Sequence, residues 1–138
     1  LAGLSAPREC DGLDLSGELL GTAPVERDAV LMANYVSHWD YFDSGTLWPE
    51  WRGVRTPRYT YARWLDGREE LYDNVEDPYQ MKDLASSDAH QGTLATLRAR
   101  LAELLAEAHD EFLPGTAYAD WYDEERNLVR TALGPVEP

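Results

Sequence analysis

Between His38 and Arg52 stand Trp39, Tyr41, Phe42, Trp48 and Trp51, the densest run of aromatic side chains in the chain. Aromatic faces stack on sugar rings, and histidine or arginine donates hydrogen bonds to anionic oxygens. His38, Trp39, Trp48, Trp51 and Arg52 are therefore the candidate ligand contacts. Long loops with large side chains are frequent binding surfaces. Covering the underside of the hairpin sheet is the preferred reading of these rings, with a substrate-rim role as the alternative. Arg55, Arg58 and Arg63 follow closely. Arginine's planar fork suits carboxylates such as Asp73, Asp77 and Asp83, and that pairing is the preferred reading for Arg55 and Arg58. For Arg52 pairing and ligand contact stand level. Arg52 and Arg58 share one parity and Arg63 the other, so simple alternation does not put all three on one face.

Other chemistries find little support. Cys10 is the only cysteine, so no internal disulfide can form, and with three scattered histidines it makes no zinc set of the usual spacing. The acidic run Tyr72 to Pro78 lacks the alternating oxygen ligands, central glycine and distal glutamate of a calcium loop. Its Asp and Asn residues are expected to cap turns through their own backbone. There is no Gly-x-Ser-x-Gly elbow, no glycine-rich phosphate loop and no His-Glu-x-x-His. A formal charge of −14 opposes binding to nucleic acid or to an anionic membrane surface. No apolar run approaches the roughly 18–20 residues that cross a bilayer. No basic start followed by an apolar core marks a signal peptide, and the compartment stays open. A chain that begins at Leu1 and not at Met fits a piece of a longer protein.

These residues need elements to position them. Hydrophobic residues at 43% and aromatics at 11% point to a folded chain. Tyr59, Thr60, Tyr61 and Trp64 are strand formers. Asp66-Gly67 predicts a two-residue hairpin turn, with a return strand from Glu69 to Asp73 and a further turn at Glu76-Asp77-Pro78. Residues 27–36 read as a buried strand, whose edge, if left unpaired, is a place where two copies can join. Ser86-Ser87-Asp88 offers helix caps, and Leu94, Leu97, Leu101, Leu104, Leu105 and Ala108 form one apolar stripe. His109 should be a solvated surface residue near the helix end, before Pro114-Gly115. A short helical turn is expected around Leu13 to Leu20 and a second short helix over Asp120 to Leu133, with the last residues fraying. The sum is an α+β fold, a small antiparallel β-sheet with one long amphipathic helix packed across it. Residues 1–26 form a connecting segment, 27–113 the α+β unit and 114–138 a tail.

The run Trp51-Arg52-Gly53-Val54-Arg55-Thr56, then Arg58-Tyr59 and Tyr61, then Glu70-Leu71-Tyr72-Asp73-Asn74 and Asp77-Pro78-Tyr79-Gln80, then Asp83-Leu84-Ala85, closely resembles the C-terminal part of type I sulfatases. Those are formylglycine-dependent sulfate-ester hydrolases of the alkaline-phosphatase-like fold. Pro7, Asp11-Gly12 and the leucines that lead to Gly21 look like the segment by which such enzymes leave the catalytic domain. The resemblance covers roughly Gly3 to Leu113. It implies that the unit is a sulfatase C-terminal subdomain whose partner is an N-terminal catalytic domain and whose ligand is a sulfated carbohydrate. It also implies calcium and formylglycine for the parent enzyme. The family's nucleophile lies in Cys/Ser-x-Pro-x-Arg, whereas Cys10 is followed by Asp11-Gly12-Leu13-Asp14, and none of the family's metal motifs can be matched. The fragment is therefore expected to be non-catalytic on its own, without a cofactor, and to shape a substrate cleft. The alternative is a free-standing carbohydrate-binding or protein-interaction module, supported by the aromatic loop alone.

Overall fold

A computed structural model describes residues 13–35, 50–131 and 134–136. Its centre is a four-stranded antiparallel meander in the order β1-β2-β3-β4: β1 Val30–Asn34, β2 Trp51–Arg55, β3 Tyr59–Trp64 and β4 Glu69–Asp73. Ahead of it lies the one-turn helix α1, Ser16–Leu19, where a short helical turn is expected. The long helix α2, Gln91–Glu107, follows a 3-10 turn at Asp88–His90. It crosses one face of the sheet and packs on β1, β2 and β3. The fold is α+β, as the residue pattern predicts.

The apolar stripe decides how the two layers meet. Leu94, Leu97 and Leu101 are buried from the helix side. They meet Val54, Tyr61 and Leu71, which register places side by side across β2, β3 and β4. Residues with the other parity point away from the helix. Trp51 pairs with Trp64, Gly53 with Ala62, and Arg55 with Thr60 on that second face. Arg52 pairs with Arg63 on the helix face. Parity thus separates residues along one strand but not across this hairpin, where paired numbers have an odd sum.

Several expectations change in detail. The hairpin connection is not a two-residue turn: Trp64 N–H donates to Arg68 O at 2.9 Å, closing a longer loop in which only Gly67 has a left-handed φ, +88°. β1 is an edge strand and only half-buried; Val30, which pairs with Arg55 on the face away from the helix, is exposed. Its outer edge has no strand partner among the described residues. The β4 edge is closed instead, since Asp83 Oδ1 accepts from Leu71 N–H at 2.9 Å and Leu71 O accepts from Leu84 N–H at 2.8 Å. The tail holds a 3-10 segment at Gly115–Trp121 and a small ribbon of β5, Arg130–Thr131, with β6, Gly134–Pro135. No α-helix forms over 120–131. Tyr122 and Leu128 bridge as extended backbone there, a use of the chain that helical spacing does not reveal.

Candidate functional site

Arg52 is fully buried on the helix face, and its surroundings are built from four separate parts of the chain. Its Nε donates to Asp110 Oδ2 at 2.6 Å, just beyond the end of α2. Its Nη1 donates to the carbonyls of Asn34 and Trp51, at 3.3 and 3.2 Å, and lies 3.8 Å from Glu50 Oε2. The guanidinium carbon sits 3.9 Å from the Tyr35 ring centre and 5.0 Å from that of Phe112, so the cation lies between two aromatic faces. Tyr35 also donates its hydroxyl to Asp110 Oδ2 at 2.7 Å, and Gly115 N–H donates to Glu50 Oε1 at 2.7 Å. One arginine therefore joins the end of β1, the start of β2, the turn after α2 and the start of the tail.

The electrostatics follow from that enclosure. Burial alone would raise the Asp110 carboxyl, but hydrogen bonds from Arg52, Tyr35 and Phe112 N–H outweigh it and hold the group below the usual carboxylate range. Burial and the neighbouring Asp110 push the Tyr35 hydroxyl up to about 12, so it remains a donor. Arg52 Nη2 and Glu50 Oε2 are buried without a hydrogen-bond partner.

Three members of this cluster, Tyr35, Asp110 and Gly115, also line an open cleft of about 680 Å³. Its other walls include Tyr118, Trp121, Tyr122, Asp120 and Arg130. Tyr118 and Trp121 meet edge to face at 4.7 Å, and Arg130 Nη1 donates to Asp120 Oδ2 at 3.2 Å on the rim. Helix α2 opens onto this cleft because His109, with φ of +53°, reverses the chain and lets Asp110 N–H return to Leu105 O at 2.9 Å. Aromatic rings beside planar polar side chains are suited to a sugar ring, whose faces are apolar and whose edge carries hydroxyls. The volume lies in the range of small-molecule sites, about 300–1,000 Å³.

The sequence-predicted contacts fall in different places. His38, Trp39 and Trp48 lie outside the described residues. Trp51 and Arg52 are adjacent in sequence but point to opposite faces of the sheet, so they do not form one site. Trp51 lies beside Trp64, with ring centres 6.3 Å apart. Arg58 pairs with Asp73 as expected, donating from Nε and Nη2 at 3.0 and 2.9 Å. Among the described residues Arg55 meets no carboxylate; its Nη1 donates to Thr60 Oγ1 at 3.2 Å. Asp73 Oδ1 caps the following turn through the N–H groups of Val75 and Glu76, the structural use expected of this acidic run. Tyr118, Trp121 and Tyr122 are absent from the predicted set. Their clustering in an acidic stretch was visible, but the fold that turns them toward Tyr35 was not.

Among the described residues no three His, Cys, Asp or Glu side chains are grouped so as to hold a metal ion.

The sheet-and-helix unit is a known one. It superposes on part of a solved 2-O GAG sulfatase with a TM-score of 0.66 and 28% identity, covering 80% of this chain and 23% of that one. No family model matches the chain. It is 32% identical over 113 residues to a Delta 4,5-hexuronate-2-O-sulfatase of Bacteroides thetaiotaomicron, covering 81% of this chain and 22% of the relative. It is 33% identical over all 138 residues to an ulvan-active sulfatase of Formosa agariphila, of which it covers 25%. The chain is homologous to the sulfatases, and it spans about a quarter of the length of the curated relatives it matches.

Proposed function

We propose that this chain is an accessory subdomain of a sulfatase, which completes a substrate cleft and does no chemistry by itself. The observation that carries the reading is its match to a piece of sulfatases in both sequence and structure. In this reading the nucleophile and the metal ligands belong to a catalytic part of the same polypeptide. The cleft beside Arg52 then offers Tyr118, Trp121 and Tyr122 to a sugar ring remote from the sulfate.

The test measures sulfate release from a 2-O-sulfated Δ4,5-hexuronate and from ulvan, the substrates in the names of the two relatives. The chain alone should release none, and the full polypeptide encoded by its gene should release sulfate from one of them. In that full polypeptide Trp121→Ala should raise KM and leave kcat nearly unchanged, because a remote contact supplies binding shared by ground and transition states. An equal fall in kcat and kcat/KM would remove the cleft from substrate binding.

A further inference from the structure

Arg52 is enclosed by its ionic cluster, Arg58 takes Asp73, and Arg55 donates to Thr60. Arg63, exposed on the helix face, donates no hydrogen bond and forms no ion pair among the described residues. With 26 Asp and Glu against 12 Lys and Arg, a carboxylate partner would be easy to find, so its absence needs a cause. The cross-strand neighbours supply one. On β2 Arg63 stands opposite Arg52, a like charge that repels it. On β4 it stands opposite Glu69, but that carboxylate is already engaged. Arg98 of α2 clasps it through Nε, at 2.7 Å, and through Nη2, and Tyr61 donates its hydroxyl to it at 2.5 Å. The Arg98 hydrogen bonds are the main cause that holds the Glu69 carboxyl below the usual carboxylate range, so it stays ionised.

Arg63, Arg98 and Glu69 line an open groove of about 340 Å³, whose apolar lining includes Leu101, Leu105 and Phe112. The groove therefore carries two guanidiniums against one carboxylate, on a molecule of net charge −14. Asp110 and Glu111 line the aromatic cleft and Phe112 the groove, so the two depressions flank one turn of chain. Their charges differ in sign: the cleft sets Asp110, Glu111 and Asp120 against Arg130.

We propose that this groove is a subsite for an anionic substituent of a sugar, a sulfate ester or a carboxylate, with the Arg63 guanidinium as its main donor. A guanidinium presents two parallel N–H groups to the oxygens of such an anion. The apolar lining receives the ring that carries it, and the anion relieves the repulsion between Arg63 and Arg52. For its glycan ligand the proposal rests on the sulfatase reading above, to which it adds a charged subsite beside the aromatic cleft.

Calorimetric titration of the chain with dextran sulfate, carboxymethyl dextran and plain dextran oligosaccharides of equal length tests this. At least one anionic probe should bind more tightly than dextran, and the stronger of the two identifies the preferred group. Arg63→Gln should lower that affinity about tenfold, to the level of dextran, and added salt should shrink the difference. Arg68→Gln, which removes an exposed guanidinium already paired with Asp66, should bind as the native chain does. In the full polypeptide Arg63→Gln should raise KM for a sulfated oligosaccharide about tenfold and leave kcat nearly unchanged. Equal affinity for all three probes, binding of none, or an anion preference that survives Arg63→Gln overturns the proposal. So does an unchanged KM in the full polypeptide. Binding that depends on Arg63, in a full polypeptide that releases no sulfate, would overturn the sulfatase reading and leave the groove standing.

Discussion

Arg52 is a charge enclosed on every side, and such a charge is tolerated only while its partners stay in place. Replacing it with methionine fills the volume but leaves Asp110 and Glu50 buried and uncompensated. Arg52→Met should lose about 3–5 kcal/mol in urea unfolding, and adding Asp110→Leu to it should recover part of that loss. Asp110 itself carries a pH signature. Its folded carboxyl titrates below the unfolded value of about 3.9. The stabilisation is complete above that value and disappears as pH falls through the lower, folded one. Unfolding free energy measured against pH should therefore decline in acid for the native chain, and Asp110→Asn should remove part of that decline. A profile unchanged by the substitution would show that Asp110 gains nothing from Arg52. This residue-scale arrangement was only half legible. Arginine beside aromatics marked a site of interest, but a partner 58 positions away leaves no trace in periodicity or local spacing.

At the scale of elements, position 53 in β2 has no room for a side chain. A Cβ there would lie 2.6 Å from Tyr61 O, a backbone atom that cannot swing aside. Gly53→Ala should cost about 1–3 kcal/mol through forced backbone shift, read as a lower Tm. Gly92, near the start of α2, meets nothing within 4 Å, so Gly92→Ala should instead stabilise by roughly 0.4–1 kcal/mol by restricting the unfolded chain. The leucine stripe and the return strand from Glu69 to Asp73 were legible, since helix and strand periods imprint directly on sequence. The loop at Gly67 was misread because Asp-Gly fits more than one turn and the choice lies in how the strands register. Residues 120–131 carry no strong period, and their extended bridge is held by tertiary contacts through Val129 N–H and Trp121 O at 2.8 Å.

The whole molecule is a two-layer unit with unlike sides. One side buries an ionic cluster and opens a cleft, and the other presents Trp51 and Trp64 with Gly53 and Ala62. The sulfatase likeness was legible because the motif residues from Trp51 to Ala85 lie on the strands and turns of one sheet, where local chemistry imprints on sequence. The division of labour between the two sides was not, because it depends on which face the helix covers. Sulfate release is the direct measurement, made with the full polypeptide, with that polypeptide lacking these 138 residues, and with the chain alone. Turnover is expected from the first, little or none from the second and none from the third. Sulfate release by the chain alone, or undiminished turnover without it, would contradict the account.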